Sequence, residues 1–315
     1  MITETDKGGM YMEYILCTEN LTKKYRNFKA LDNLNMHVEK GSIYGFVGKN
    51  GAGKTTLIRI ICGLQEPDAG FYTLYGQKNS SHSVADARKR MGAVVETPSV
   101  YLDMSAEENL KEQYRILGIP SFDGIYDLLK LVGLEDTGKK KAKNFSLGMR
   151  QRLGIAVALA GSPDFLVLDE PVNGLDPQGI IEIRELILKL NRQHQITVLI
   201  SSHILDELSR LATHYGFIEK GHMVREISAK DLGSACRKCI RIRVSDIKAL
   251  ARVLYKEGLD HNILPDNQAD IFGDVNITKL AIALDTEGCE IKSVTEKDES
   301  LESYFVNLIG GEEHA

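Results

Sequence analysis

One stretch of nine residues limits the folds that are open to this chain. Gly48–Thr56 reads GKNGAGKTT and matches the pattern G-x-x-x-x-G-K-[ST]. The apolar run IYGFV precedes it at 43–47, and LIRII follows it at 57–61 with helical character. A glycine-rich loop between a buried strand and a helix directs backbone N–H groups at phosphate oxygens, and the helix adds its positive N-terminal end. The stretch therefore predicts a phosphate-binding loop in an α/β fold.

The lysine and the threonine of this loop indicate a nucleotide with its metal ion. Lys54 is expected to reach the terminal phosphates, and the Thr55 hydroxyl is expected to bind Mg²⁺. The other residues of the stretch are expected to surround the phosphates: Gly48, Lys49, Asn50, Gly51, Ala52, Gly53 and Thr56.

Two further apolar runs also end in polar side chains. FLVL at 165–168 precedes Asp169 and Glu170, and ITVLI at 196–200 precedes a Ser-Ser-His sequence that ends at His203. Apolar strands that alternate with helices predict a mainly parallel sheet covered on both faces, with ligands beyond the carboxyl ends of its strands. We therefore expect the three polar segments to meet at one edge of the sheet.

Each of these side chains has a predicted role and an alternative. Asp169 is expected to hold the Mg²⁺ shell, and Glu170 to orient or deprotonate an attacking water, which typically contributes ~10²–10⁴-fold in rate. For a lone Asp-Glu pair, two solvated acids would be the alternative. His203 is a candidate sensor of the γ-phosphate, although a lone histidine is as often structural. Tyr25, in LTKKYRNF, is a candidate for stacking on an adenine ring, with core packing as the alternative.

Composition excludes several classes of protein. The net charge of −5 and the pI of about 6.0 provide no basic field for nucleic acid. No apolar run approaches the roughly 18 residues of a membrane span, and the acidic start lacks the pattern of a secretory signal. Five scattered cysteines indicate reduced thiols and a cytoplasmic location. Cys236 and Cys239 form a lone C-x-x-C without two further ligands for a zinc site.

The sequence pattern divides the chain into three parts: an N-terminal extension, an α/β part with the phosphate loop, and a C-terminal part. Residues 1–13 are expected to be a flexible extension. Within the α/β part, about 97–160 is expected to be an inserted helical subdomain. After about residue 230 the order of candidate strands and helices is that of a split βαβ arrangement. We expect an accessory α+β domain over 232–312, closed by a helix at 300–308, without a catalytic cluster. Its elements are a strand at 240–244, a helix at 246–258, strands at 261–264 and 269–272, a helix at 276–288 and a strand at 290–294.

Six motifs in order resemble those of ATP-binding cassette (ABC) transporter ATPases. They are Tyr25, GKNGAGKTT, NFSLGMRQR, FLVLDEP, NGLDP and SSHILDE, and they are similar to the A-loop, Walker A, signature, Walker B, D-loop and H-loop of that family. The resemblance covers about 14–228. SLGMRQRLGIA together with a long C-terminal extension is most similar to stand-alone ATPase subunits of antibiotic exporters, of the bacitracin and lantibiotic self-protection type.

The resemblance implies that two cassettes pair head to tail, either as a homodimer or with a second cassette. Ser146 and Gly148 of the signature and Asp176 of the D-loop are then expected to serve the ATP of the partner. Ser146 is also expected to be the N-cap of an ordinary helix, which is compatible with that role.

Two positions depart from the pattern of the family. The signature reads FSLGM where the family usually has LSGGQ, so that the serine and the second glycine are kept. The glutamine of the Q-loop is replaced by Glu96, whose carboxylate can still bind Mg²⁺ or a metal-bound water. The family places the segment after Glu96, here Thr97–Glu108, against a permease. Four apolar residues are expected to be exposed there, with packing into the helical subdomain as the alternative: Val100, Tyr101, Leu102 and Met104.

The predicted function is that of an ATP hydrolase that powers a separately encoded permease. It is expected to be cytoplasmic and to attach to the inner face of the cell membrane through that permease, with a peptide antibiotic as the exported molecule. The alternatives are a soluble cassette ATPase that acts on ribosomes or DNA, and a nucleotide-dependent regulatory module. The first usually carries two cassettes or a long coiled-coil insertion, and neither is evident in this sequence.

Overall fold

The computed structural model describes residues 13–235, 239–273 and 275–297, together with 304 and 308. The predicted extension at 1–13 lies outside the described residues except for its last residue. Cys236 and most of the helix predicted at 300–308 also lie outside them. Among the described residues, no helix combines the length and the apolar character that a membrane span needs. The chain divides into two units between Ala229 and Lys230.

The strands among the described residues are numbered in chain order: β1 (Tyr14–Tyr25), β2 (Phe28–Glu39), β3 (Ile43–Val47), β4 (Ala69–Leu74), β5 (Gln77–Lys78), β6 (Met91–Val94), β7 (Phe165–Asp169), β8 (Thr197–Ser202), β9 (His214–Glu219), β10 (His222–Ser228), β11 (Cys239–Val244), β12 (His261–Leu264), β13 (Gln268–Phe272) and β14 (Ile291–Lys297).

The α-helices of the same residues are numbered likewise: α1 (Lys54–Ile61), α2 (Val84–Arg88), α3 (Ala106–Ile116), α4 (Ile125–Leu131), α5 (Leu147–Leu159), α6 (Pro177–His194), α7 (Leu205–Ser209), α8 (Ala229–Ala235), α9 (Ile247–Lys256) and α10 (Ile277–Thr286).

The described residues of the first unit form two sheets. The larger has the order β10-β9-β3-β8-β7-β6, with β9, β3, β8, β7 and β6 parallel and β10 antiparallel to β9. The smaller has the order β2-β1-β4-β5 and is antiparallel. Every residue of β3, β7 and β8 is buried, which explains the apolar run in each of these strands. The predicted fold class is therefore confirmed for this unit.

The main core of this unit involves α1 and both sheets. Leu57 and Ile58 of α1 are fully buried in one cluster with Leu34 of β2 and with Phe46 and Val167 of the parallel sheet. Since each buried side chain of this size contributes about 1.5–3 kcal/mol, this cluster fixes the start of α1 relative to the strand ends.

The segment between β6 and β7 is mostly helical, as predicted. Its helix α3 begins with a capping box, in which the Ser105 hydroxyl accepts from the Glu108 N–H (3.2 Å) and the Glu108 carboxylate accepts from the Ser105 N–H (2.7 Å). The loop before α3 is held by Asn109, whose side chain accepts from the N–H of Tyr101 and donates to its carbonyl.

The second unit has the sheet order β12-β13-β11-β14, and every neighbouring pair is antiparallel. Both of its long helices contribute to one core: Leu250 and Leu254 of α9 and Leu280 and Leu284 of α10 are buried there. This is the predicted split βαβ topology.

Candidate functional site

Three strand ends meet at one edge of the parallel sheet. β8 lies between β3 and β7, so that Ser202 is opposite Val47 and Ser201 is opposite Asp169. The phosphate-loop sequence follows β3, Glu170 follows β7 and His203 follows β8. The expected meeting of the three polar segments is therefore confirmed.

The glycine-rich loop is packed too closely for side chains at two of its positions. A Cβ atom at Gly48 would lie 2.5 Å from the Ile218 carbonyl oxygen, and one at Gly53 would lie 2.4 Å from the Ala30 carbonyl oxygen. Gly53 also has φ 115° and precedes α1 without a side-chain cap. The first N–H groups of a helix have no intrahelical acceptor, so this end of α1 can bind an anion.

Lys54 lies within this loop as a buried cation. Its Nζ donates to the carbonyl oxygens of Gly48 (2.6 Å) and Lys49 (3.3 Å) and lies 3.2 Å from Glu170 Oε1. Its side chain is only 6% exposed. A buried ammonium requires acceptors and an opposite charge, and these three oxygens provide them.

Glu170 contacts two basic groups. While Oε1 faces Lys54, Oε2 lies 2.8 Å from His203 Nδ1. Its backbone has φ 49°, an uncommon conformation for a residue with a side chain, and its N–H donates to the carbonyl and the hydroxyl oxygen of Ser201. Left-handed backbone of this kind is concentrated at functional sites.

Asp169 is held by a residue that the sequence analysis did not include. It is 1% exposed, and its Oδ1 accepts from the Ser201 hydroxyl at 2.5 Å. Ser201 therefore fixes both acids: its hydroxyl donates to the Asp169 carboxylate, and its hydroxyl and carbonyl oxygens accept from the Glu170 N–H. The available signal was a hydroxyl residue at the end of an apolar strand next to the strand that ends in Asp169.

A pocket of about 280 Å³ adjoins the loop. Tyr25 in its wall is 42% exposed, so the core-packing alternative for this residue is wrong. Phe28 in the same wall is 58% exposed and was not predicted, although it follows closely in YRNF. The lining residues are Tyr25, Phe28, Ala30, Asn50, Gly51, Gly53, Lys54, Thr55, Thr56 and Glu170.

Glu96 follows β6 and makes an ion pair with Arg59 of α1. Its backbone has φ 60°. Because Arg59 is one helical turn after Thr55, this guanidinium lies on the same face of α1 as the predicted metal ligand. Arg59 was not predicted from the sequence, because its partner is 37 residues away.

The signature and D-loop residues begin two other helices. The Ser146 hydroxyl accepts from the Met149 N–H (3.2 Å) at the start of α5, and Asp176 Oδ1 accepts from the Gly179 N–H (3.1 Å) at the start of α6. Ser146, Gly148 and Asp176 are not among the residues that line the 280 Å³ pocket. Their expected action on a partner's nucleotide stays a prediction.

The predicted permease-facing segment is only partly exposed. Tyr101 and Leu102 are 52% and 48% exposed, whereas Val100 and Met104 are half-buried. The expectation of four exposed anchors is therefore wrong for two of them. Met104 is held because its carbonyl accepts from the Ala142 N–H at 2.8 Å.

One carboxyl group behind the site has a perturbed pKa. Burial raises the pKa of Glu207 on α7, and the neighbouring Asp206 raises it further. Its Oε2 is buried and has no hydrogen-bond partner among the described residues.

Comparisons with known proteins agree with this arrangement. A family described as ABC transporter matches residues 31–173. Bacitracin transport ATP-binding protein BcrA of Bacillus licheniformis is 41% identical, over 95% of this chain and 99% of the relative. Lantibiotic transport ATP-binding protein SrtF of Streptococcus pyogenes is 42% identical, over 67% of this chain and 90% of the relative.

Solved structures agree as well. A dimeric ATP-binding cassette in a post-hydrolysis state, bound to ADP and Pi, superposes with a TM-score of 0.61 at 25% identity, covering 68% of this chain and 98% of that one. The cbiO1 structure from Clostridium perfringens, part of an ABC transporter complex, gives 0.63 at 25% identity, covering 78% and 96%.

A glycine-rich phosphate loop beside two acids, at the carboxyl edge of a parallel sheet, defines a P-loop nucleotide hydrolase. The chain belongs to the ABC transporter family, in which it is an ATP-binding subunit that hydrolyses ATP.

Proposed function

We propose that this chain powers a separately encoded membrane permease that exports a peptide antibiotic of the bacitracin or lantibiotic kind. The observation that carries the proposal is the extent of the match to the bacitracin transport protein, 95% of this chain. The match to the lantibiotic transport protein covers only 67%. The bacitracin type therefore shares an extension comparable to the second unit. We assign the ATP-binding domain to 14–228 and the accessory domain to 232–312.

The contacts of Lys54 suggest how binding and hydrolysis are linked. When ATP binds, its terminal phosphates attract the Lys54 ammonium away from the Glu170 carboxylate. Glu170, which His203 still holds, can then accept a proton from the attacking water. The backbone amides at the start of α1 stabilise the negative charge on the phosphates, so positioning and charge neutralisation account for most of the catalysis.

The oxygen ligands suit Mg²⁺. Asp169 is a buried carboxylate whose direction is fixed by Ser201, and Thr55 at the start of α1 supplies a hydroxyl. Hard oxygen donors of this kind are those that Mg²⁺ prefers. The bound ion would neutralise phosphate charge, and Glu96 would complete the set once it leaves Arg59. Tyr25 and Phe28 would stack on the adenine.

Two other surfaces of the first unit are proposed to contact a second cassette and the permease. Ser146, Gly148 and Asp176 are proposed to contact the nucleotide of a second cassette. The exposed side chains of Tyr101 and Leu102 are proposed to dock on the permease, which holds the chain at the inner face of the cell membrane.

The test is co-purification with the permease encoded nearest to this chain. Tyr101→Asp and Leu102→Asp should abolish co-purification and leave the ATPase activity of the isolated chain intact. Tyr255→Asp is the control, because Tyr255 is 86% exposed and lies in the second unit. Retained co-purification in both variants would contradict the proposed docking surface, and unfolding of both would favour packing into the helical subdomain.

A further inference from the structure

Arg152 connects three helices of the first unit. It lies in the second turn of α5, and its Nη1 donates to the carbonyl oxygens of Val132 (3.1 Å) and Gly133 (2.9 Å) after α4. Its Nη2 lies 3.4 Å from Glu182 Oε2 on α6. The guanidinium is planar and presents several donors at once, so a single side chain can make all of these contacts.

The contact with α4 satisfies the end of that helix. The backbone turns at Gly133 (φ 65°), where the Gly133 N–H donates to the Lys130 carbonyl and the Leu134 N–H to the Leu129 carbonyl. The last carbonyls of a helix need donors from outside, and its C-terminal end attracts a cation. Arg152 meets both needs. A Cβ atom at Gly133 would lie 2.8 Å from Arg152 Nη1, so the two groups are closely packed.

The contact with α6 continues towards the D-loop. Glu182 Oε1 accepts from Gln178 Nε2 at 3.3 Å, and Gln178 is two residues after Asp176, the N-cap of α6. The Arg152 side chain is only 18% exposed, so its ion pair with Glu182 is partly shielded from solvent. Polar contacts therefore run from the end of α4 through Arg152 to the first turn of α6.

The starts of α5 and α6 also lie side by side. A Cβ atom at Gly148 would be 3.8 Å from Leu175 Cδ2 and 3.9 Å from Gly179 Cα. A Cβ atom at Gly174 would be 3.4 Å from Leu147 Cδ2. The signature turn and the D-loop therefore form one continuous surface, and Arg152 lies behind it.

We propose that Arg152 is a positioning residue that holds the signature turn and the D-loop in one arrangement relative to α4. Ser146 and Asp176 can then reach a partner's nucleotide together. The inference rests on the proposed pairing of two cassettes. It adds a route by which the helical subdomain controls that pairing, because a displacement of α4 moves the carbonyls that Arg152 binds.

The experiment measures pairing and single-chain binding separately. In a Glu170→Gln background, ATP-driven pairing is followed by sedimentation, and ADP binding to the single chain by a fluorescent ADP analogue. Hydrogen bonds to charged groups contribute about 1.5–3 kcal/mol, so Arg152→Gln should raise the half-pairing concentration about tenfold or more. ADP binding should change less than about twofold, because Lys54 and Thr55 are untouched.

Four further variants distinguish a positioning role of Arg152 from a general electrostatic one. Glu182→Gln should weaken pairing by a smaller factor, and the Arg152→Gln/Glu182→Gln double variant should be no worse than Arg152→Gln alone. Glu185→Gln, on the same helix and with a side chain that is 67% exposed, should pair normally. Arg152→Lys keeps the charge but loses the planar set of N–H donors, so pairing should stay close to that of Arg152→Gln.

Several results would overturn the inference. Normal pairing of Arg152→Gln or full rescue by Arg152→Lys would do so, as would an equal loss of ADP binding and pairing. If the Glu170→Gln parent bound ATP but never paired, the proposed pairing itself would fail, and the role of Arg152 with it.

Discussion

The starts of α1 and α5 are both suited to bind an anion, but they differ in what surrounds them. At α1 no side chain caps the helix, and Gly53 turns the backbone with φ 115°. At α5 the Ser146 hydroxyl already caps the first turn, and Ser146 itself is extended (φ −62°, ψ 165°). Lys54, at the first of these starts, lies 3.2 Å from Glu170. Gly148, at the second, adjoins the D-loop: a Cβ atom there would make ordinary van der Waals contact with Leu175 (3.8 Å) and Gly179 (3.9 Å).

The two helix starts differ in the catalytic side chains that lie beside them. The start of α1 has a cation, two acids and a histidine of the same chain beside it. The start of α5 provides amides and a hydroxyl but none of the proposed hydrolytic residues. This contrast is the basis of the proposal that the start of α5 acts on a nucleotide bound by another chain.

The largest expected effect concerns the start of α1. Glu170→Gln keeps the size of the side chain but removes the basic oxygen, so turnover should fall about 10²-fold or more while ATP stays bound. Phosphate release and nucleotide retention should be measured on the same sample. The control is Glu185→Gln, an exposed acid on α6. Near-normal hydrolysis in the Glu170 variant would remove this residue from the mechanism.

Mixing two inactive chains tests whether the start of α5 acts on the nucleotide of another chain. Lys54→Ala cannot hold the phosphates, and Gly148→Asp places a carboxylate where a partner's γ-phosphate is proposed to lie. Because a Cβ atom at Gly148 would make only ordinary van der Waals contacts, the second variant should still fold. In an equal mixture half of the pairs are mixed, and each has one intact composite site, so roughly a quarter of the activity should return.

Recovery in the mixture would show that the signature acts on a neighbour's ATP. If both chains stay inactive in every ratio while each still binds its partner, the two helix starts would belong to one chain's site. The contrast between them would then be wrong.

A smaller effect is expected at Glu96, the proposed Mg²⁺ ligand near α1. Glu96→Ala should raise the Mg²⁺ concentration for half-maximal hydrolysis several-fold, about 3–10-fold, whereas Glu96→Gln keeps an oxygen ligand and most activity. Since Arg59 competes for the same carboxylate, Arg59→Gln should lower the Mg²⁺ requirement about twofold, as expected of an exposed ion pair. Unchanged Mg²⁺ dependence in Glu96→Ala would exclude Glu96 from the metal site.

The sequence predicted the strands of the catalytic edge because their chemistry is local. β3, β7 and β8 are buried on both faces, so each contains an apolar run, and parallel strands have their carboxyl ends at one edge. The contribution of Ser201 was not predictable in the same way. It depends on β8 lying between β3 and β7, an order that differs from the order along the chain.

Two other features depend on tertiary placement. The Arg59–Glu96 pair needs the relative position of α1 and β6 and the unusual backbone of Glu96. The backbone carbonyl of the half-buried Met104 accepts from the N–H of Ala142, far along the chain. Neither contact has a periodic sequence signal, since both join loops or exposed side chains.

The smallest expected effect concerns Glu207. It tests whether the buried charge of this carboxylate lowers the stability of the fold. Glu207 lies four residues after His203 in the sequence, and its pKa is raised above the ordinary value of 4.5, mainly by burial. A carboxyl with a raised folded-state pKa favours the fold when it is protonated. That contribution is full below the unfolded-state pKa and is lost as the pH rises through the folded-state pKa. Ionised Glu207 should therefore oppose folding at neutral and alkaline pH.

Glu207→Gln removes this charge and keeps the shape of the side chain. Its melting temperature should exceed that of the parent by about 1–3 °C near pH 8, and the difference should disappear as the pH falls below the ordinary pKa of 4.5, because the folded-state pKa lies above it. Glu185→Gln is the matched control and should show no such pH-dependent gain, because its side chain is 67% exposed. The start of α5 should respond in the opposite direction: Ser146→Ala removes its cap and should lower the melting temperature at every pH. A gain for Glu207→Gln that is equal at both pH values would show that burial of its charge is not the cause.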